Sequence, residues 1–272
     1  MEPWAAADLE IRGVRLRYHR TGGGGEAVVL VHGLTDHGLY WSALARELAH
    51  DYDVVFYDSR GHGASGTSPD GYELTTLAAD LVALVQALGL QRPALIGHSM
   101  GGSTASLAAA TTPGLFRALI LEDPVWSSGT GGPPLDLNER RLQWREQIRA
   151  RQQRDRATLL AEVQAESPSW SAEDYERWID SKLAVRPEAL DVMPSLARNW
   201  LADAQQIDCP LLVLTGEPER GAIVDPIAEQ ALLAAQPLAR VLRLSGTGHQ
   251  VRRERFDAYL PAVREFLAAH RQ

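Results

Sequence analysis

Cysteine is nearly absent from this chain: a single Cys209 in 272 residues excludes an intramolecular disulfide. Basic residues are also in deficit, with 27 Lys and Arg against 35 Asp and Glu. The formal net charge of -8 removes the electrostatic reason to expect nucleic acid or an anionic membrane as a partner. No apolar run approaches the roughly 18 residues of a membrane span. Met1 to Asp8 has neither the basic nor the apolar region of an export signal, so a cytoplasmic location is expected. There is no phosphate-cradling or dinucleotide glycine fingerprint and no clustered Cys/His/Asp pattern, so neither cofactor nor metal is expected. A small molecule is the partner these absences leave. Oligomeric state leaves no mark on the pattern.

The length suits one large α/β domain, or such a domain carrying an insertion. Leu9 to Arg20 alternates apolar and charged residues about Gly13, the pattern of a hairpin. Ala27–Val31 is a continuous apolar run, as in a strand buried on both faces of a parallel sheet, Ala118–Leu121 is another buried strand, and Asp53–Tyr57, Pro93–Ile96, Pro210–Thr215 and Leu238–Leu244 also read as strands. Helical spacing separates them at Tyr40–Ala49, Leu74–Leu88, Ser103–Ala110 and Asp225–Ala235, and closes the chain from about Arg253 to His270. This alternation predicts a doubly wound, mostly parallel sheet.

The rhythm stops after Glu122-Asp123-Pro124. From Trp126 to about Gln206 the chain reads as four or so helices, interrupted at Gly129–Pro134, Pro168, Pro187 and Pro194. Five of the seven tryptophans lie there, which marks the span as a helical lid. The predicted division is a core of 1–124 and 207–272 with a cap of 125–206. Trp126 is a candidate to face substrate, although tryptophan more often simply packs. Seven arginines between Arg140 and Arg156 alternate with Gln and Glu, which reads as a solvated helix face rather than an anion site.

Chemistry concentrates in Ile96-Gly97-His98-Ser99-Met100-Gly101-Gly102, where an apolar run enters a glycine-flanked serine and a small-residue helix leaves it. That is the pattern of a nucleophile elbow, a sharp strand-to-helix turn that exposes the hydroxyl and would crowd any side chain at Gly97 or Gly101. A serine hydroxyl needs a base, and the base needs a third group to hold its tautomer. His249, in the glycine-rich turn Gly246-Thr247-Gly248-His249 after the last strand, stands downstream of every candidate acid.

With His32-Gly33-Leu34 and Asp58-Ser59-Arg60-Gly61-His62-Gly63-Ala64-Ser65 in the same order, these motifs resemble the α/β-hydrolase superfamily over essentially the whole chain. The resemblance implies an oxyanion hole from the amides of Leu34 and Met100, with His32 bracing its loop. It also implies a triad acid after either of two strands. One position offers Glu217 and Glu219 in Gly216-Glu217-Pro218-Glu219-Arg220-Gly221, and the other offers Glu122 and Asp123. Glu217 ranks first and Glu122 second, with Glu219 and Asp123 behind. The activity implied is hydrolysis of a small to medium apolar ester or lactone through an acyl-enzyme. Carbon–carbon hydrolysis of diketones, a ligand receptor and a cofactor-free perhydrolase or haloperoxidase are the alternatives.

Overall fold

The computed structural model describes residues 4–68, 71–128 and 137–271. A hairpin of β1 (Ala5–Ile11) and β2 (Val14–Arg20) opens the chain, followed by β3 (Ala27–Val31), a 3₁₀ turn at Gly38–Trp41 and α1 (Ser42–Leu48). Next come β4 (Asp53–Tyr57), α2 (Leu74–Ala87), β5 (Ala94–His98), α3 (Met100–Thr111) and β6 (Ala118–Glu122). Four helical pieces intervene before the sheet resumes: α4 (Leu137–Gln152), α5 (Arg156–Glu166), α6 (Ala172–Ala184) and α7 (Trp200–Ala204), with a 3₁₀ stretch at Pro187–Leu196. The chain then completes β7 (Leu211–Thr215), α8 (Pro226–Ala235), β8 (Ala239–Arg243), α9 (Val251–Glu254) and α10 (Phe256–Ala269). The expected interruption at Gly129–Pro134 lies outside the described residues.

The sheet has eight strands in the order β1-β2-β4-β3-β5-β6-β7-β8. Only the β1–β2 and β2–β4 pairs are antiparallel. The expected α/β, doubly wound, mostly parallel sheet is therefore present. Alternation of side chains through its strands supplies two cores. Val29, Val31, Leu95, Leu119 and Val213 face one layer with α2 and α3, while Val28, Leu30, Ile96, Ile120 and Leu214 face the other with α1 and α10. A third, smaller cluster joins Tyr40 to Leu159, Val163, Trp170, Tyr175, Trp178 and Ile179 of the helical segment.

Helix α6 starts at Ser171, whose side chain accepts from the Asp174 amide while the Asp174 carboxylate receives the Ser171 N–H, a full capping box. The arginine face is mostly paired, Arg141 and Arg145 with Asp191 and Arg156 with Glu176 and Asp180. Arg151 lies over the Trp178 ring. Those contacts agree with the reading of a helix face rather than an anion site. The closing helix differs from expectation, since it breaks at Arg255, whose backbone is non-helical at φ -141° and ψ 59°. Among the described residues no helix is long and apolar enough to cross a membrane.

Candidate active site

The parallel register brings the C-terminal ends of β5 and β6 side by side, His98 opposite Glu122. Immediately beyond that pair the chain turns sharply at Ser99, which carries φ 54° and ψ -120°, a conformation L-residues avoid and one that needs surrounding structure to hold it. The Ser99 amide donates to the Glu122 carbonyl at 2.9 Å, tying the turn to β6. The flanking glycines are explained by close approach: a Cβ at Gly97 would strike the Gly101 carbonyl, and one at Gly101 the carbonyls of Val31 and His32. Met100 opens α3, so its N–H has no acceptor within the helix.

The loop after β3 forms a turn closed by the Asp36 amide on the Gly33 carbonyl at 3.1 Å, with Leu34 inside it. Two imidazoles hold this turn. His32 donates through Nδ1 to the Gly33 carbonyl at 2.8 Å and accepts the Ser59 N–H at Nε2, 3.0 Å. Burial, with His62 beside it, drives its pKa down to about 3, so His32 is a neutral brace with both ring nitrogens occupied. His62 Nε2 donates to the Leu34 carbonyl at 2.7 Å. The Asp58–Ser65 loop supplying His62 is fixed in turn by Asp58, which accepts from the amides of Gly38 and Ala64, and by Arg60 on Asp80.

The carboxylate beside His249 is Asp123, not Glu217 or Glu122. The His249 Nδ1 stands 2.5 Å from Asp123 Oδ2. Asp123 is fully buried and lies one residue past β6 in a strained positive-φ conformation, φ 40°. Its carboxylate also accepts from the Thr215 hydroxyl at 2.7 Å and the amides of Ile223 and Val224 at 2.8 and 3.1 Å. Burial opposes ionisation, but the His249 contact and these donors outweigh it and hold the carboxyl below its ordinary value.

The other carboxylates have different partners. Glu217 turns outward to Arg220 at 2.9 Å, because a 3₁₀ turn at Pro218–Arg220 begins immediately after it, and only its amide touches the base loop, through the Thr247 carbonyl. Glu219 is exposed. Glu122 is buried and faces away from Asp123, accepting the Arg252 amide at 2.9 Å and its guanidinium at 2.5 Å. Neither Glu217 nor Glu122, the two carboxylates expected beside the histidine, meets the His249 ring, and Asp123 does. In the sequence Asp123 stands, with Glu219, behind Glu217 and Glu122, because nothing local separates it from its neighbour.

Burial disfavours the Glu122 charge, yet the Arg252 guanidinium and nearby His98 lower its pKa below the ordinary glutamate value. The stability this pair contributes is therefore complete above the ordinary glutamate range and is lost as pH falls through the depressed value. Glu122→Gln is expected to cost about 3 kcal/mol at neutral pH by stranding the Arg252 charge. Urea melts should show that deficit at pH 7 and a narrowing gap on acidification.

Trp126 is 2% exposed and stacks on Trp200, ring centroids 5.0 Å apart, so it packs as a wall. Trp126 and Trp200 line a small cavity with Ser103, Ser106, Leu196 and Arg198, one helical turn behind Ser99. Among the described residues no group of three or more His, Cys, Asp or Glu side chains is placed to hold a metal ion.

A family model described as alpha/beta hydrolase fold matches residues 26–251. The chain is 30% identical over 281 residues to N-formylmaleamate deformylase of Pseudomonas putida KT2440, covering 97% of this chain and 96% of that protein. It is 26% identical over 258 residues to 2-(acetamidomethylene)succinate hydrolase of Mesorhizobium japonicum, covering 92% and 91%. Among solved structures, N-formylmaleamic acid deformylase from Pseudomonas putida S16 has the same fold, with a TM-score of 0.80 at 24% identity over 95% of this chain and all of that one.

Proposed function

Because this chain belongs to the alpha/beta hydrolase fold family, we propose that it is a serine hydrolase in which Ser99, His249 and Asp123 form the catalytic triad. The observation that carries this reading is the His249 Nδ1 to Asp123 contact at 2.5 Å, set beside the positive-φ turn of Ser99. Asp123 holds the ring so that Nε2 is the basic nitrogen and stabilises the imidazolium that forms. Ser99 Oγ attacks the acyl carbon as His249 takes its proton, and the amides of Leu34 and Met100 receive the oxyanion. His249 then protonates the leaving group, and in the second half-reaction it activates the water that releases the acid.

Two full-length relatives are named for N-acyl compounds that also carry carboxylates, N-formylmaleamate and 2-(acetamidomethylene)succinate. In both, the nitrogen that departs is conjugated to a carbonyl or alkene, which makes it a better leaving group than an ordinary amine. The substrate class proposed is therefore a short acyl group on a conjugated nitrogen or oxygen of a small acid. This widens the expected ester or lactone to include activated amides. The helices between β6 and β7 act as a lid over the site, with Trp126 among its walls.

A panel tests this reading: 4-nitrophenyl acetate and longer esters, a lactone, N-formylmaleamate and a plain N-alkyl acetamide, each with Ser99→Ala as blank. The conjugated N-acyl compound and the acetate ester are expected to turn over, with activity falling as the acyl chain lengthens and little on the alkyl amide. Tight binding without turnover of any member would indicate a receptor. Halide- and peroxide-dependent bromination as the main activity would indicate the oxidative chemistry instead.

A further inference from the structure

Lys182 belongs to α6, in the segment between β6 and β7, yet its side chain is only 8% exposed and its ammonium reaches the loop after β3. There Nζ donates to the Thr35 carbonyl at 2.8 Å and the Thr35 hydroxyl at 2.6 Å, and it lies 3.4 Å from Asp36 Oδ1. Burying an ammonium is costly, and a methionine at this place would fill similar space without that cost. What the charge grips is informative. Thr35 and Asp36 are the second half of the turn whose first inner residue is Leu34, the proposed oxyanion donor.

Beyond Asp36 lies the His98 ring. Asp36 Oδ2 lies 3.6 Å from His98 Nδ1, just beyond hydrogen-bond distance, and His98 Nε2 donates to the His249 carbonyl at 3.1 Å. Gly33 leaves room for this approach, since a Cβ there would meet Asp36 Oδ2 at 2.9 Å and His98 Nδ1 at 3.0 Å. Lys182 therefore connects one helix of the inserted segment to the turn that carries Leu34, and Asp36 in turn packs against the His98 ring.

Resting on the triad reading above, we propose that Lys182 is a positioning residue: by gripping Thr35 and Asp36 it sets the Leu34 amide of the oxyanion turn. The groups facing its ammonium are Asp36 from the β3 loop, Tyr40 from the following 3₁₀ turn, Arg253 from α9 and Arg151 from α4. Burial lowers the lysine most, Asp36 opposes it and Arg253 and Arg151 add to it, bringing it down to about 8. Its grip should therefore be complete below that pH and weaken as pH rises through it.

The test uses 4-nitrophenyl acetate hydrolysis by wild type, Lys182→Met, Asp36→Asn and the double variant, with Ser99→Ala subtracted at each pH. Lys182→Met is expected to lose about tenfold or more in kcat, the scale of a misplaced catalytic group, while KM moves within about twofold. Because the two residues act in one chain, the double variant should fall no further than the worse single variant. It also removes both buried charges together, so it should fold even if a single variant does not.

Wild-type kcat should decline on the alkaline side of about pH 8, and that limb should be missing from Lys182→Met. Any of three results overturns the inference: wild-type kcat in the variant, losses that multiply in the double variant, or a wild-type kcat that stays flat through the alkaline range. The last needs no variant. Residual turnover in Ser99→Ala would instead overturn the triad reading.

Discussion

Ser99→Ala is expected to lower kcat for any substrate the wild type cleaves by about 10⁶, the scale seen when a serine nucleophile is removed from such a triad. The reason is that, in the proposed mechanism, Ser99 Oγ is the atom that forms the bond. The backbone around it is built to present that atom: φ 54° at Ser99, glycines at 97 and 101 that admit the crossing carbonyls, and the tie from the Ser99 amide to Glu122. These features belong to the main chain, so alanine should preserve them. Thermal midpoints of the two proteins should coincide. The check is the burst of 4-nitrophenolate from 4-nitrophenyl acetate, present in the wild type and lost in the variant; a burst of unchanged size would remove Ser99 from the mechanism.

Asp123→Asn should cost about 10⁴ in kcat, the loss typical when an amide replaces the triad carboxylate and leaves the imidazole in the wrong tautomer. His249 Nδ1 must donate to this position for Nε2 to accept the serine proton. The Thr215 hydroxyl and the amides of Ile223 and Val224 all aim donors at the same carboxylate, so an amide NH₂ there also faces like-for-like donors. Some loss of stability should accompany the loss of rate. Since the Asp123 carboxyl is held below its ordinary value, the stability it contributes is complete at neutral pH and vanishes as pH falls through the depressed value. Glu217→Gln, by contrast, removes only an exposed contact with Arg220 and should retain wild-type kcat. If Glu217→Gln loses several orders of magnitude and Asp123→Asn does not, the acid has been misassigned.

Much of this protein is legible in one dimension because its constraints are local. A strand buried on both faces must be continuously apolar, and the runs at Ala27–Val31, Asp53–Tyr57 and Ala118–Leu121 carry that mark without reference to their neighbours. The elbow is legible for the same reason: the clash that demands glycine at 97 and 101 arises within a few residues and against the adjoining strand. His249 stands out because a glycine-rich turn after the last strand is a local signature.

The contact between Asp123 and His249 is not local. Glu122 and Asp123 are adjacent, and strand geometry sends successive side chains to opposite sides, so one of the pair reaches α9 and Arg252 while the other reaches the base loop. Which does which depends on a single positive-φ residue at the end of β6 and on where α9 packs. The Glu217 loop points its carboxylate outward only because Pro218–Arg220 coils into a 3₁₀ turn against the base loop. Likewise the Lys182 ammonium and the turn it grips are separated by 146 positions, from Asp36 to Lys182. Periodicity therefore determined the sheet, and local motifs marked Ser99 and His249, whereas the Asp123–His249 contact and the grip of Lys182 on Thr35 and Asp36 were decided by tertiary packing, because directions of side chains at strand ends and contacts between distant segments have no period to read.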